Sequence, residues 1–157
     1  MQQNPLAKLL IVDDEPAILS SLAQMLNSIG YSVRTAQDGL SALDKIREGI
    51  PDILLSDLNM PGMSGFEFLA VVNKYLPSIR VIAMSGAYSG TDVPSGVAAT
   101  AYYQKGSSIH TLLKIIEDMS QPEISIPTAD SRPSKTSLPM STYANSGHGL
   151  PGNIYTS

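Results

Sequence analysis

The sequence predicts an α/β fold built on a doubly wound, five-stranded parallel sheet. Short apolar runs such as Lys8–Val12 (KLLIV) and Asp52–Ser56 (DILLS) are typical of buried strands. Between such runs, apolar residues recur at helical spacing, as in Glu15–Ile29. Strands that alternate with helices favour parallel pairing, because each helix carries the chain back across a face of the sheet.

The first half of the chain contains two further predicted elements. Pro16 and Gly30 suit the two ends of the first helix, and Tyr31–Ala36, rich in β-formers, predicts the second strand. A second helix is predicted over Asp38–Arg47, with Gly49 closing it. Its residues expected to face the core are Leu40, Leu43 and Ile46.

In the second half, Gly65–Tyr75 and Ser107–Met119 predict helices, and Ile79–Met84 and Ala101–Gln104 predict strands. The segment 89–100 is the weak place, because Pro94 and other breakers stand where the alternation requires a helix. An interior proline costs about 3 kcal/mol in a helix. We therefore expect at most a short helix near 97–100, or one that begins at Pro94.

Composition narrows the class of protein. With 157 residues, 43% of them hydrophobic, the chain can form one domain with a real core. A net charge of −4 gives no attraction to nucleic acid or to an acidic membrane, and the lack of cysteine excludes disulfides and thiolate metal sites. No signal peptide or membrane-length apolar run is apparent. We expect a cytoplasmic monomer.

A change in composition divides the chain at about residue 120. Residues 121–157 contain seven Ser, five Pro and three Gly, but only five Ile or Leu. So little apolar surface cannot offset the entropy of ordering the chain. The sequence therefore predicts one domain over 1–120, followed by a disordered tail over 121–157.

Charged and polar residues follow the predicted strands. They are Asp13, Asp14 and Glu15 after the first strand, Asp57 after the third, Ser85 after the fourth and Lys105 after the fifth. The carboxyl ends of parallel strands share one edge of the sheet, so these residues can converge. Clustered carboxylates repel one another, and a hard divalent cation, Mg²⁺ or Mn²⁺, relieves that repulsion. Such a cluster suits an aspartate nucleophile that accepts a phosphoryl group.

Four motifs together resemble the receiver domain of bacterial two-component response regulators. They are IVDDEP (11–16), LLSDLNMPGMSGFE (54–67), VIAMSGA (81–87) and AYYQK (101–105). The resemblance extends from Lys8 to about Met119. It implies the flavodoxin-like (CheY-like) receiver fold with strand order 2-1-3-4-5.

The resemblance also implies a role for each site residue. Asp57 would be the phosphoacceptor. Mg²⁺ would be bound directly by Asp14, mainly through water by Asp13, and by the backbone carbonyl of Asn59. The phosphoryl group would be contacted by Ser85 and Lys105, and Tyr102 would be the aromatic switch. A histidine kinase or a histidine phosphotransfer protein would donate the phosphoryl group. Ser85 would then shift and Tyr102 turn inward, altering the face of the fourth helix, fifth strand and fifth helix.

Three functions remain open. The domain could be a single-domain regulator whose phosphorylated form binds a target protein, or a phosphorelay intermediate or phosphate sink. The third is a phosphatase with an aspartate nucleophile, although the enzymes considered carry D-x-D after the first strand, whereas Asp13 and Asp14 are adjacent. Gly106 departs from the resemblance, which has proline after the lysine, and no effector domain is apparent. The receiver hypothesis requires the Asp57 carboxyl group to lie near Asp13 and Asp14 and to be reachable from solvent.

Overall fold

The computed structural model describes residues 3–87 and 92–121. Its strands are β1 (Lys8–Val12), β2 (Ser32–Ala36), β3 (Ile53–Asp57), β4 (Arg80–Ser85) and β5 (Ala101–Gln104). The helices in this part of the chain are α1 (Pro16–Ile29), α2 (Gly39–Glu48), α3 (Gly65–Tyr75) and α4 (Ile109–Ser120). The tail that the sequence predicts to be disordered falls, after Gln121, outside the described residues.

The five strands form one parallel sheet in the order β2-β1-β3-β4-β5, as predicted. Successive side chains of β1 enter different cores: Leu9 packs on one face of the sheet and Leu10 on the other. Tyr102 and Tyr103 of β5 divide between the same two cores. The sheet is therefore covered on both faces, which explains why its strands read as continuous apolar runs.

Local sequence accounts for the ends of the helices. Pro16 occupies the first turn of α1, and Gly30 ends that helix in a left-handed conformation with φ of 119°. Asp38 caps α2 and Ser64 caps α3, each accepting a hydrogen bond from the backbone N–H three residues later. Each cap sets the residue at which its helix begins, and therefore where the preceding loop ends.

One residue of α2 was wrongly expected to face the core. Leu40 is 65% exposed, whereas Ala42 is fully buried. Because α2 begins at Gly39, its inner face follows the helical period through Gly39, Ala42, Leu43 and Ile46. Leu40 falls outside that period.

The expected fourth helix, between β4 and β5, is not formed by residues 92–100. A turn closes there instead, with the N–H of Val97 donating to the carbonyl of Pro94, and Gly96 has a φ of 83°. A helix beginning at Pro94 is therefore excluded, and the breakers explain why. The predicted output face consequently consists of this connection, β5 and α4, rather than two helices and a strand. Across both described ranges, the helices are too short or too polar to cross a membrane.

Candidate functional site

The carboxyl edge of the sheet brings the predicted polar residues together. Asp57 and Ser85 are the last residues of β3 and β4, while Asp13 and Lys105 directly follow β1 and β5. Those four strands are neighbours in the sheet. The edge lies where the strand order reverses, which is the usual ligand position in a doubly wound sheet.

Three carboxylates form the centre of this edge. One oxygen each of Asp13, Asp14 and Asp57 lies within 4.8 Å of the others. Asp13 and Asp57 are buried, whereas Asp14 is exposed. The backbone N–H of Glu15 donates to Asp13 Oδ1 at 2.9 Å, and that of Asn59 donates to Asp57 Oδ1 at 3.0 Å. Each loop thus orients its own carboxylate through a short turn.

Lys105 balances part of the negative charge. Its Nζ lies 2.7 Å from Asp13 Oδ2 and donates a hydrogen bond of 2.9 Å to Asp57 Oδ2. Glu15, which is exposed, has its Oε1 at 3.6 Å from the same nitrogen. Sequence reasoning placed Glu15 after β1 but did not predict this contact, because it depends on side-chain conformation.

The pKa values of the two central groups reflect burial and pairing. Burial raises the pKa of the Asp57 carboxyl group, and the Asn59 N–H and the Lys105 ammonium offset this only in part. For Lys105, burial alone lowers the pKa, but hydrogen bonds and charge from Asp13 and Asp57 hold it above its ordinary value. The fold therefore favours the charged form of Lys105 and disfavours the ionised form of Asp57.

The donor set fits a hard divalent cation. Three carboxylates meet beside the partly exposed ammonium group of Lys105, and oxygen ligands are those that Mg²⁺ and Mn²⁺ prefer. Asp13 Oδ2 is buried, and Lys105 Nζ, 2.7 Å away, takes only part of the capacity of this oxygen to bind a positive charge. A buried oxygen with a free lone pair has unused capacity to bind a cation.

Solvent access to Asp57 differs from the expectation. The residue, at the end of a fully buried strand, is only 3% exposed, and Lys105 Nζ lies 2.9 Å from its Oδ2. The requirement of proximity to Asp13 and Asp14 is met, but the requirement of an accessible carboxyl group is not met in this arrangement. Lys105 is followed by Gly106, whose φ of 88° is closed to a proline.

Asn59, Ser85 and Tyr102 form a second, connected group. Asn59 Nδ2 donates to Ser85 Oγ at 2.8 Å, and the hydroxyl of Tyr102 donates to the backbone carbonyl of Ser85 at 2.9 Å. Tyr102 is completely buried. The ring therefore lies inward in this structure, and its expected movement with Ser85 stays a prediction. The hydrogen bond from Asn59 was not predicted, since only a backbone role was assigned to that residue.

Gly65 is a site residue that sequence reasoning missed. A Cβ atom at this position would lie 2.2 Å from the backbone oxygen of Asp57 and 2.5 Å from Leu58 Cα. The N–H of Gly65 also donates to the carbonyl of Leu58. The start of α3 therefore packs directly on the chain that carries Asp57, and only glycine allows this approach. The signal was present in the motif NMPGMSG, whose second glycine stands at this position.

Known proteins are similar to this chain in sequence. Transcriptional regulatory protein GlrR of Escherichia coli is 35% identical over 131 residues, which cover 80% of this chain and 28% of GlrR. Sporulation initiation phosphotransferase F of Bacillus subtilis is 41% identical over 86 residues, covering 55% of this chain and 68% of that protein. The chain spans less than a third of the length of the first curated relatives it matches.

Among solved structures, the response regulator protein TrrA of Thermotoga maritima matches with a TM-score of 0.65 and 32% identity, covering 71% of this chain and 97% of TrrA. That structure is a complex with Mg(2+)-BeF, and TrrA has also been solved in complex with the histidine kinase ThkA. The sequence profile described as response regulator receiver domain matches residues 9–125. With its strand order, its acidic edge and this match, the chain belongs to the response regulator receiver domain family.

Proposed function

We propose that this receiver domain accepts a phosphoryl group on Asp57 from a phosphohistidine of a histidine kinase or a histidine phosphotransfer protein. The observation that carries the proposal is the convergence of Asp13, Asp14 and Asp57 around one point, with Lys105 beside them. In the transfer, a carboxylate oxygen of Asp57 attacks phosphorus while the bond from phosphorus to the histidine nitrogen breaks. The product is an aspartyl phosphate, and the histidine is released without its phosphoryl group.

The carboxylates of Asp13, Asp14 and Asp57 would hold Mg²⁺ (or Mn²⁺), together with the backbone carbonyl of Asn59. When bound, the cation neutralises charge that develops on the phosphoryl oxygens. Lys105 would leave Asp57 Oδ2 and pair with the new phosphoryl group, which replaces one negatively charged partner by another. Ser85 would donate its hydroxyl proton to a phosphoryl oxygen. The solved complex of the similar protein TrrA with Mg(2+)-BeF supports this assignment.

The output would be a population shift at one face of the molecule. Tyr102 joins Ser85 to the surface formed by 92–100, β5 and α4, because its hydroxyl is bonded to the Ser85 carbonyl. We propose that a target protein binds this surface when Asp57 is phosphorylated. The reactions of the domain itself would be limited to its own phosphorylation and slow dephosphorylation. A single-domain, cytoplasmic, monomeric protein with a tail over 121–157 remains the prediction.

A second candidate function is that of a phosphorelay intermediate or phosphate sink. The match to sporulation initiation phosphotransferase F favours it, because that relative is 41% identical and the match covers 68% of it. The two functions differ in the partner of the phosphorylated form. Phosphorylation-dependent capture of a protein that is neither a kinase nor a phosphotransfer protein would favour the regulator; transfer of the label from Asp57 to a second histidine protein would favour the relay.

The site itself is tested with acetyl phosphate and Mg²⁺. The unaltered chain should gain one phosphoryl group by intact-mass spectrometry, and Asp57→Asn should gain none because the nucleophilic oxygen is lost. Asp44→Asn, an exposed aspartate of α2, is the matched control and should be labelled like the unaltered chain. Undiminished labelling of Asp57→Asn would refute the assignment of the phosphoacceptor.

A further inference from the structure

Asn59 contacts two parts of the site at once. Its backbone N–H donates to Asp57 Oδ1 at 3.0 Å, while its side-chain Nδ2 donates to Ser85 Oγ at 2.8 Å. The first contact lies within the loop after β3, and the second crosses to the end of β4. A single residue therefore links the orientation of the Asp57 carboxylate to the position of the Ser85 hydroxyl.

The hydroxyl of Ser85 has its acceptor positions occupied. A serine hydroxyl offers one donor and two acceptor positions. The Asn59 side chain takes one acceptor position, and the backbone N–H of Ala87 takes the other at 3.0 Å. Two donors on Oγ fix the side-chain conformation, and Ser85 is completely buried, so water does not compete for those positions. Within residues 3–87 and 92–121 the hydroxyl proton meets no acceptor, so it is the part of Ser85 left for a ligand.

Ser85 is also hydrogen-bonded to Tyr102, the residue expected to act as the aromatic switch. The Ser85 carbonyl accepts the hydrogen bond of the Tyr102 hydroxyl, and the Tyr102 ring is buried in the core between the sheet and α3. Asn59, Ser85 and Tyr102 thus form one chain of hydrogen bonds from the acceptor loop to β5.

We propose that the side-chain amide of Asn59 is a positioning group for Ser85, which presents the serine proton to a phosphoryl oxygen on Asp57 and couples the acceptor loop to Tyr102. The inference rests on the proposed function and adds a role for the Asn59 side chain to the backbone role assigned above. Asn59 does not touch the reacting atoms in this role; it acts through Ser85.

A double-mutant cycle tests the proposal with Mg²⁺ and beryllofluoride, whose tetrahedral fluorides stand for the phosphoryl oxygens. Affinity is measured for the unaltered chain, Asn59→Ala, Ser85→Ala and the double variant. Loss of one hydrogen bond predicts that Asn59→Ala weakens binding roughly two- to tenfold when Ser85 is present. In the Ser85→Ala background the same change should cost less than about twofold, because the bonded partner is gone.

A second readout follows Tyr102 directly. In protein labelled with fluorotyrosine, Asn59→Ala should shift or broaden the resonance of Tyr102, whereas Asn73→Ala on the exposed side of α3 should leave it in place. Asn59→Leu, close in shape but without hydrogen-bonding groups, repeats the cycle should the alanine variant fold poorly. Equal losses in both Ser85 backgrounds, or tighter binding by Asn59→Ala, would overturn the proposal. If the unaltered chain itself binds no beryllofluoride, the proposed function fails instead, which separates the two results.

Discussion

Two aspartates of this chain accept the same kind of hydrogen bond and have opposite pKa shifts. Asp57 Oδ1 accepts the N–H of Asn59 at 3.0 Å, and Asp38 Oδ1 accepts the N–H of Ser41 at 2.7 Å. Yet burial raises the pKa of Asp57, whereas the backbone hydrogen bond from Ser41 lowers the pKa of Asp38. Both carboxylates accept from a nearby backbone N–H, so the difference comes mainly from the surroundings: Asp57 is enclosed and Asp38 is exposed.

The two regions around these aspartates differ in the same way. In the α2 region, polar groups complete a helix: Asp38 and Ser41 form a capping box, and the guanidinium of Arg34 donates to the carbonyls of Lys45 and Gly49 at the other end. At the carboxyl edge of the sheet, three carboxylates and one ammonium group lie close together without completing a helix or a strand. From the two pKa directions we expect the ionised Asp38 to stabilise the fold and the ionised Asp57 to be disfavoured in it.

The largest expected effect comes from breaking the packing that holds Asp57 in place. Gly65→Ala would put a Cβ atom 2.2 Å from the Asp57 backbone oxygen, so either α3 or the acceptor loop must move. We expect the free energy of unfolding to fall by at least about 2 kcal/mol, as for an overpacked core, and labelling of Asp57 by acetyl phosphate to fall with it. Urea denaturation and intact-mass spectrometry measure the two effects.

Gly86→Ala is the matched control for that substitution, because nothing lies within 4 Å of a Cβ atom there. Its free energy of unfolding should stay within about 0.5 kcal/mol of the unaltered chain, as for most surface changes. If Gly65→Ala were equally mild, the close approach of α3 to the acceptor loop would not be a constraint on the site.

A smaller effect is expected when the charge of Asp57 is removed. Since the folded-state pKa of Asp57 is raised, the fold favours the protonated carboxyl group over the ionised one. The stability that the protonated group contributes is therefore lost as the pH rises through the folded-state pKa. In a metal-chelating buffer, Asp57→Asn should therefore unfold at higher denaturant concentration than the unaltered chain at neutral pH. The gain should fade as the pH falls towards the ordinary carboxyl value of 3.8.

Asp44→Asn provides the comparison for this measurement, because Asp44 is an exposed aspartate paired with Arg47 on α2. Its effect on the denaturation midpoint should be close to zero, since exposed ion pairs contribute little. A lower midpoint for Asp57→Asn at neutral pH would mean that the contact with Lys105 outweighs the cost of burial, and that the site stabilises the fold.

Much of the fold and the position of the site could be predicted from the sequence. The rule that parallel strands end at one edge was sufficient to bring Asp13, Asp57, Ser85 and Lys105 together, because that rule concerns only backbone direction. The contact between Asn59 and Ser85 could not be predicted in this way. It depends on the side-chain conformations of two loops that are distant in sequence, and no periodicity encodes such conformations.

Burial and helix formation show the same limit. Lys105 covers Asp57 because two carboxylates attract its ammonium group, and strand spacing carries no information about how far a side chain reaches. Leu40 was assigned to the core from its apolar character, although the start of α2 at Gly39 places it outside the buried period. Pro94 and Gly96 were correctly taken as obstacles to a helix, because their effect is local.

The smallest effect is expected at the exposed member of the pair. Asp38→Ala removes the acceptor for the Ser41 N–H and should lower the free energy of unfolding by about 1 kcal/mol at neutral pH, the usual cost of losing a helix cap. Because the folded-state pKa of Asp38 is lowered, its stabilising contribution is present above the ordinary value of 3.8 and is lost as the pH falls through the folded pKa. The difference between Asp38→Ala and the unaltered chain should therefore shrink in acid. Asp38→Asn, which keeps a capping oxygen without charge, should lose only a few tenths of a kcal/mol and show little such pH dependence. If the Asp38→Ala deficit instead grew as the pH fell, the cap would not act through the ionised carboxylate, and the contrast with Asp57 would no longer rest on burial alone.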